Sequence, residues 1–184
     1  GKEIIADTGV KLQQKTHQLY SGTIKFEDGT YRVIDTSKAE FIKEKFKGYK
    51  IGIFYKFVAE LEMLKSVFGN ELTTDLNEFN STDKNIALQI VSGREGISLS
   101  KADHLVFLNI DFSAVSYFQA RDRLTTMERK ENTIFWIFSK GGIEEKIYRA
   151  VQNKKDYTNE TFKKDFGTGN TKENYNTTRK ARLL

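Results

Sequence analysis

The 184-residue sequence has no cysteine, no proline and only two histidines, His17 and His104. Without cysteine the chain can form neither disulfide bonds nor thiolate metal sites, and two histidines are too few for a histidine-rich metal centre. We therefore predict that the chain carries no metal site of its own. The missing proline accompanies many Lys, Asn, Ile, Phe and Tyr residues, and it indicates an AT-rich coding sequence rather than a structural need.

Long apolar runs are also missing, since none approaches the ~20 residues that span a bilayer. No signal peptide is visible, and we expect a cytoplasmic protein of bacterial or phage-infected cells without a membrane partner. The 38% of hydrophobic residues can fill the core of one domain. A net charge of +5, from 30 basic and 25 acidic residues, is compatible with a polyanionic partner but does not establish one.

Residues 1–47 are predicted to form a connector packed on the main domain. A helix is expected over residues 9–20, with Leu12, Thr16 and Leu19 on one stripe. Alternating residues around Asp28-Gly29 predict a β-hairpin with a two-residue turn. A second helix is expected from Ser37, where Ser37 and Glu40 have capping-box spacing.

Residues 48–157 alternate apolar runs with amphipathic helices. The runs at 51–55, 86–91, 105–110 and 134–138 are apolar on both faces, as strands of a parallel sheet covered by helices on both sides are. Residues 158–184 hold few aliphatic residues and six basic against three acidic residues. This composition predicts a polar basic tail that is flexible, and the alternative is a basic arm that touches a DNA backbone.

The segment from Ser92 to Arg123 carries the candidate site. Gly93 and Gly96 of S-G-R-E-G can bring backbone N–H groups close to an anion, and the loop follows the carboxyl end of a strand, where parallel sheets bind ligands. Gln119 and Arg123 lie four apart and share a helix face, and the arginine fork suits phosphate oxygens. The alternative is an ordinary charged helix surface.

Together these segments resemble motifs V and VI of superfamily-two helicases, most closely the Swi/Snf-like group of DNA-dependent ATPases and its phage and bacterial relatives. The resemblance extends upstream to K-I-G-I-F-Y-K-F, similar to motif IV, and downstream to T-I-F-W-I-F-S-K-G-G-I-E-E-K-I-Y, and it spans roughly residues 12 to 157. The matching residues of motifs V and VI are Ser92, Gly96, Ile97, Leu99, Ala102, Asp103, Asp111, Gln119, Ala120 and Arg123.

The resemblance implies a RecA-like α/β fold and the second lobe of a two-lobed DNA helicase or translocase. Arg123 would stabilise charge on the transferred phosphoryl group, and Gln119 would order the water and phosphate beside it. A coupling loop would link the nucleotide to the DNA backbone; its residues are Ser92, Gly93, Arg94, Glu95 and Gly96. ATP and Mg²⁺ would be held mainly by an N-terminal lobe.

Two features depart from the family pattern, and one is the missing arginine in L-T-T-D-L-N-E-F-N, before the motif V strand. The second arginine of motif VI should fall at residue 126, where this chain has Thr126. Arg129 is the candidate replacement, because a turn after the helix could bring it to the edge of Arg123. Arg121 is less suited, since two residues along a helix is a rotation of roughly 200°. Alternatively, Arg129 pairs with a neighbouring glutamate at the surface.

Two further sequence features are lacking. The chain has neither G-x-x-x-x-G-K-[ST] nor an acidic box after a strand, so we expect no complete ATPase here. The first residue is Gly1 rather than methionine, which suggests an excised domain. The alternative functions are a stand-alone α/β binding module and a non-catalytic nucleic-acid adaptor. A phosphate-binding lobe encoded upstream would exclude both.

Overall fold

The computed structural model describes residues 6–90, 99–115, 117 and 133–167. The helices are α1 Gly9–Tyr20, α2 Ser37–Lys45, α3 Val58–Phe68, α4 Leu76–Ser81, α5 Ile143–Gln152 and α6 Asn159–Phe166. The strands are β1 Thr23–Lys25, β2 Tyr31–Val33, β3 Ile51–Tyr55, β4 Leu72–Thr73, β5 Asn85–Gln89, β6 His104–Phe107 and β7 Thr133–Trp136. A helical stretch also begins at Ala114.

Five of these strands form one sheet in the order β4-β5-β3-β6-β7, and all the pairings are parallel. The apolar run I-G-I-F-Y supplies the central strand β3, as expected for a strand that is covered on both faces. The expected α/β fold with a parallel sheet is confirmed. Because every strand points the same way, the carboxyl ends of β3, β5, β6 and β7 lie along one edge, which we call the carboxyl edge.

Successive residues of β3 alternate between the two faces of the sheet. Ile51, Ile53 and Tyr55 pack with residues of α2 and α3 on one face. On the other face, residues of β5 and β6 pack with Phe79 of α4 and with Leu99. Gly52 lies on this second face, where an added Cβ would stand 3.0 Å from Leu99 Cδ1. The helices thus cover both faces, as the sequence predicts.

Helix α1 has the predicted bounds but not a simple buried stripe. Leu12 and Leu19 are 47% and 45% exposed, whereas Gln13, His17 and Gln18 are buried. The reason is that α1 is clamped on two sides: Gln18 accepts a hydrogen bond from the Lys25 backbone in β1, and Gln13 donates one to the Tyr157 carbonyl. Both buried faces of α1 are therefore polar. The stripe with Leu12 and Leu19 lies between them and faces solvent.

Two local predictions in the connector are wrong in detail. The hairpin exists, but Phe26 N–H donates to the Thr30 carbonyl at 2.7 Å, which leaves three turn residues rather than two. Gly29 has φ +83°, the left-handed conformation that three-residue hairpin turns require. Helix α2 begins at Ser37, as predicted, but Thr36 Oγ1 rather than Ser37 bonds to Glu40, by donating to its Oε1 at 2.7 Å.

Part of the segment that composition predicts to be a flexible tail is helical. Residues Asn159–Phe166 form α6, which starts after a Thr158 side chain that accepts from Thr161 N–H. Phe162 is buried against α5, in a cluster with Ile147 and Val151. A single aromatic residue at helical spacing from Phe166 thus anchors a segment that composition alone predicts to be loose. Residues 168–184 lie outside the described part.

Candidate functional site

The predicted site residues lie outside the described residues. This holds for Gln119, Arg123 and Arg129, for Thr126, and for the coupling loop, which comprises Ser92, Gly93, Arg94, Glu95 and Gly96. The structure does place residues that adjoin these segments. Ile90, two residues before Ser92, donates its backbone N–H to the Tyr55 carbonyl at 2.7 Å at the end of β3. Ala114, which precedes the second segment, follows β6. Ile90 therefore lies at the carboxyl edge.

An ion pair joins the ends of two central strands at this edge. Lys56 follows β3, Asp111 follows β6, and Lys56 Nζ lies 3.1 Å from Asp111 Oδ2. The two side chains are 20% and 32% exposed, so each can also meet a ligand from solvent. Gln89 at the end of β5 donates to the Lys56 carbonyl at 3.1 Å. Three adjacent strands thus fix the position of one lysine.

Two aromatic rings lie close to the ammonium group of Lys56. Its ammonium lies 5.6 Å from the Phe112 ring centre and 6.0 Å from that of Phe57. These rings help to line a cavity of about 310 Å³, together with Gln13 and Tyr157. Contact with aromatic faces stabilises a cation that is partly removed from water. The arrangement therefore places the Lys56 ammonium against two aromatic rings at the rim of this cavity.

Beneath the ion pair, Asn109 connects the two loops that carry it. Asn109 is fully buried after β6, and its Nδ2 donates to Glu60 Oε1. Glu60 Oε2 in turn accepts the backbone N–H groups of Lys56 and Phe57 at 2.7 and 2.8 Å. Asn109 Oδ1 accepts the N–H of Ile110 at 2.8 Å. One amide side chain thereby holds the β3–α3 turn and the loop after β6.

His17 of α1 completes this arrangement, which we call the Asn109 network. Its Nε2 bonds to Asn109 Oδ1, and its ring packs 5.2 Å from Phe57 and 4.8 Å from Phe112, measured between ring centres. Because Asn109 Oδ1 can only accept, His17 Nε2 carries the hydrogen. His17 Nδ1 is buried and has no hydrogen-bond partner in the described structure. That nitrogen accordingly bears the lone pair of a neutral imidazole.

Burial governs the protonation of this network. Burial, and then the positive charges of Lys56 and Lys38, lower the pKa of His17 from 6.5 to about 3. Burial raises the pKa of Glu60, while hydrogen bonds from Phe57, Asn109 and Lys56 hold it down. His17 is therefore neutral under ordinary conditions, which is the state that the donor role of its Nε2 requires.

A second buried pair attaches α2 to the same edge. Lys38 Nζ bonds to Glu144 of α5 and donates to the Leu108 carbonyl at 3.3 Å. Glu144 also accepts the Ser139 N–H at 3.2 Å. Burial raises the pKa of Glu144 to about 7 against the opposing effect of Lys38. Ser139 follows β7, so this pair joins the ends of β6 and β7 to both helices.

Sequence reasoning did not select Lys56, His17, Glu60, Asn109 or Lys38. A weak signal exists for two of them, because Lys56 and Asn109 are polar residues at the ends of apolar runs, I-G-I-F-Y-K and L-V-F-L-N. His17 and Glu60 carry no comparable signal. They occur in helices of mixed polarity, and their partners are distant in sequence.

Comparison with known proteins gives the following likenesses. No protein-family model matches the chain. The chain is 26% identical over 174 residues to the Drosophila melanogaster SWI/SNF-related matrix-associated actin-dependent regulator of chromatin subfamily A containing DEAD/H box 1 homolog, which covers 82% of this chain and 20% of that protein. It is 35% identical over 66 residues to the chromatin-remodeling ATPase INO80 of Mycosarcoma maydis, which covers 35% of this chain and 4% of that one.

Among solved structures, the C-terminal part of the Fun30 ATPase domain matches with a TM-score of 0.50 and 21% identity, over 61% of this chain and 44% of that one. The chain therefore has a RecA-like α/β fold, like that structure. It spans about a fifth of the Drosophila protein. Neither relative supports the expected kinship to phage and bacterial proteins. Within the described residues, no helix is long and apolar enough to cross a membrane.

Proposed function

We propose that the chain is the C-terminal motor lobe of an ATP-dependent DNA helicase or translocase. The observation that carries this proposal is the carboxyl edge, where β3, β5 and β6 are adjacent and parallel. In the sequence, the motif V-like residues follow β5 and the motif VI-like residues come after β6. Ligands of such sheets bind beyond this edge. The similarity to a SWI/SNF-related protein over 82% of the chain supports the same assignment.

In this proposal the nucleotide binds between the chain and an N-terminal RecA-like lobe. Arg123 stabilises negative charge on the transferred phosphoryl group, Gln119 orders the adjacent water, and Arg129 takes the position that Thr126 leaves without an arginine. Residues Ser92–Gly96 connect the nucleotide to DNA. No cluster of three metal-ligating side chains occurs in the described part of the chain. In this proposal Mg²⁺ is held mainly by the N-terminal lobe.

DNA is the proposed second partner, held through its phosphates without regard to sequence. Lys56 is the described residue best placed for such a contact, because three strand ends fix it and one fifth of its side chain faces solvent. Backbone contacts of this kind release counterions, so the affinity should fall steeply as salt rises. Fluorescence anisotropy with labelled single-stranded and duplex oligonucleotides measures this dependence.

Phosphate release is the primary test. The chain alone should hydrolyse no ATP above background with saturating DNA, because it lacks the lysine that binds the β-phosphate and the carboxylates that hold Mg²⁺. A protein in which this chain follows an N-terminal RecA-like lobe should hydrolyse ATP when DNA is added. ATP hydrolysis by the chain alone would contradict the proposal that it is only one lobe of a motor. A two-lobed protein that hydrolyses no ATP would favour the non-catalytic nucleic-acid adaptor.

The role of Arg129 is tested in the same two-lobed protein. Arg129→Ala should lower kcat by about 10²-fold or more with little change in nucleotide KM, as expected for a contact made in the transition state. Arg121→Ala is the matched control and should be far milder. If Arg129→Ala retains turnover while Arg123→Ala is inactive, Arg123 acts alone.

The tail is tested by truncation after Gly167. This point preserves α6, whose Phe162 is buried. If residues 168–184 contact DNA, their removal should flatten the dependence of the binding constant on salt. An unchanged dependence on salt would indicate that the tail is only a linker.

A further inference from the structure

The Asn109 network does more than satisfy buried polar groups. Its members come from three parts of the chain: His17 from α1, Glu60 from α3, and Asn109 from the loop after β6. His17 and Asn109 are 92 residues apart in sequence, and both are fully buried. The network therefore forms a continuous link from the connector to the carboxyl edge.

The two arms of this link end at, or one residue before, the members of the partly exposed ion pair. Through Glu60, Asn109 holds the backbone N–H of Lys56. Through its Oδ1, it holds the N–H of Ile110, the residue before Asp111. The distance of 3.1 Å between Lys56 Nζ and Asp111 Oδ2 thus depends on two loops that one amide side chain holds together.

The His17 ring controls the orientation of that amide. Its Nε2–H occupies the Asn109 oxygen, which directs the Asn109 NH₂ group toward Glu60. The same ring lies between Phe57 and Phe112, the residues that follow Lys56 and Asp111. A shift of α1 would therefore move the rings behind both charged residues and remove one of the two hydrogen bonds to the Asn109 oxygen.

We propose that His17 and Asn109 are positioning residues. They couple the position of α1 on the domain to the relative positions of the Lys56 and Asp111 side chains. This inference rests on the proposed function, since it makes DNA contact at the carboxyl edge depend on the connector. Coupling of this kind needs a contiguous set of packed and hydrogen-bonded groups. The buried link from His17 through Asn109 and Glu60 to the Lys56 backbone is such a set.

The substitution that tests this link is His17→Phe, which keeps an aromatic ring and removes the donor. His17→Gln is the rescue variant, because the glutamine Nε2–H can donate to Asn109 Oδ1 in place of the imidazole. His104→Phe is the matched control. His104 also packs among aromatic rings, 5.7 Å from Phe46, but it lies in β6 near the opposite edge of the sheet.

Amide hydrogen exchange followed by NMR tests this link in the absence of DNA, because it measures how well the linked backbone amides are protected. In His17→Phe, the amides of Lys56 and Phe57 should exchange about tenfold faster or more, relative to those of Ile137 and Phe79 in the core. His17→Gln should restore slow exchange. His104→Phe should not accelerate the amides of Lys56 and Phe57 relative to the other two. A purely structural role for His17 would accelerate all four amides alike, and that result would overturn the proposal.

The unaltered chain provides a second measurement in case His17→Phe does not fold. The link requires the Nε2–H tautomer, which the ¹⁵N chemical shifts of the His17 ring report directly. An Nδ1–H tautomer would overturn the proposal, because Asn109 Oδ1 would then have no donor from α1.

DNA binding forms the third readout, by anisotropy with a fluorescein-labelled oligonucleotide at fixed salt. His17→Phe should weaken binding severalfold, and His17→Gln should restore it. Selective amide exchange with unchanged DNA affinity would overturn the coupling to DNA. If the unaltered chain binds no DNA, the proposed function fails, and the amide measurements still decide whether the link exists.

Discussion

His17 should impose an unusual pH dependence on stability, which His17→Gln removes. The folded state keeps His17 neutral down to a pKa of about 3, because burial first and the Lys56 and Lys38 charges next oppose protonation, whereas the ordinary value is 6.5. Between these two values the unfolded chain binds a proton that the folded chain does not. The free energy of unfolding therefore falls as pH drops from 6.5 toward 3, by about 1.4 kcal/mol per pH unit and by roughly 5 kcal/mol in all.

Glu144 acts in the opposite direction. Its folded pKa of about 7 lies above the ordinary 4.5, so its contribution to stability is present below 4.5 and is lost as pH rises through 7. Burial raises the pKa of Glu60 as well, which gives its contribution the same sign. Between pH 4.5 and 6.5 these slopes oppose that of His17. The profile of the unaltered chain is therefore shallow there, and only the difference between the two proteins isolates His17.

The assay is urea unfolding of both proteins across this range, followed by the fluorescence of Trp136, the only tryptophan. The unfolding free energy of the unaltered chain minus that of His17→Gln should grow by about 1.4 kcal/mol per pH unit between pH 3 and 6.5. Above 6.5 the difference should be constant, which serves as the internal control. A difference that does not vary with pH would refute the reasoning, since it would mean that His17 titrates alike in both states.

Two further substitutions test the structure in other places. Lys38→Met should lower the free energy of unfolding by about 3 to 5 kcal/mol, because it leaves Glu144 buried without its cation. The double variant Lys38→Met, Glu144→Gln should recover most of that loss in urea unfolding. Equal losses in the single and double variants would contradict the pairing. Gly22→Ala should cost about 3 kcal/mol or more in the same assay, because φ is +81° and the new Cβ would stand 2.5 Å from the Asp35 carbonyl oxygen. Gly29→Ala, at φ +83° with nothing within 4 Å, is the matched control and should cost only about 1 kcal/mol.

The sheet was predictable because its signal is local. The run I-G-I-F-Y is apolar at every position, and only a strand with both faces covered buries such a run. The same reasoning gave the bounds of α1 but not its orientation. Leu12 and Leu19 predict an inward stripe, yet they face solvent, because the hairpin and Tyr157 engage the polar faces of the helix instead.

The buried polar groups could not be predicted, because their partners are distant in the chain. His17 meets Asn109 across 92 positions, and Lys38 meets Glu144 across 106. Hydrophobic periodicity reports which face of a helix is buried, but it carries no information about which polar groups meet there. The candidate motor residues, including Arg123 and Gln119, rest on the sequence resemblance alone and stay predictions.

The placement of these buried groups is itself informative. Burying an ion pair such as Lys38–Glu144 costs desolvation energy that apolar residues of similar volume avoid. Both the Lys38–Glu144 pair and the Asn109 network attach a connector helix, α2 or α1, to the carboxyl edge. Hydrogen bonds fix direction and distance, which apolar contacts do not. The connector is thus attached by directional bonds at the edge where, in the proposed function, nucleotide and DNA would bind. A mobile hinge would need no such bonds, so the geometry favours a connector that moves together with this edge.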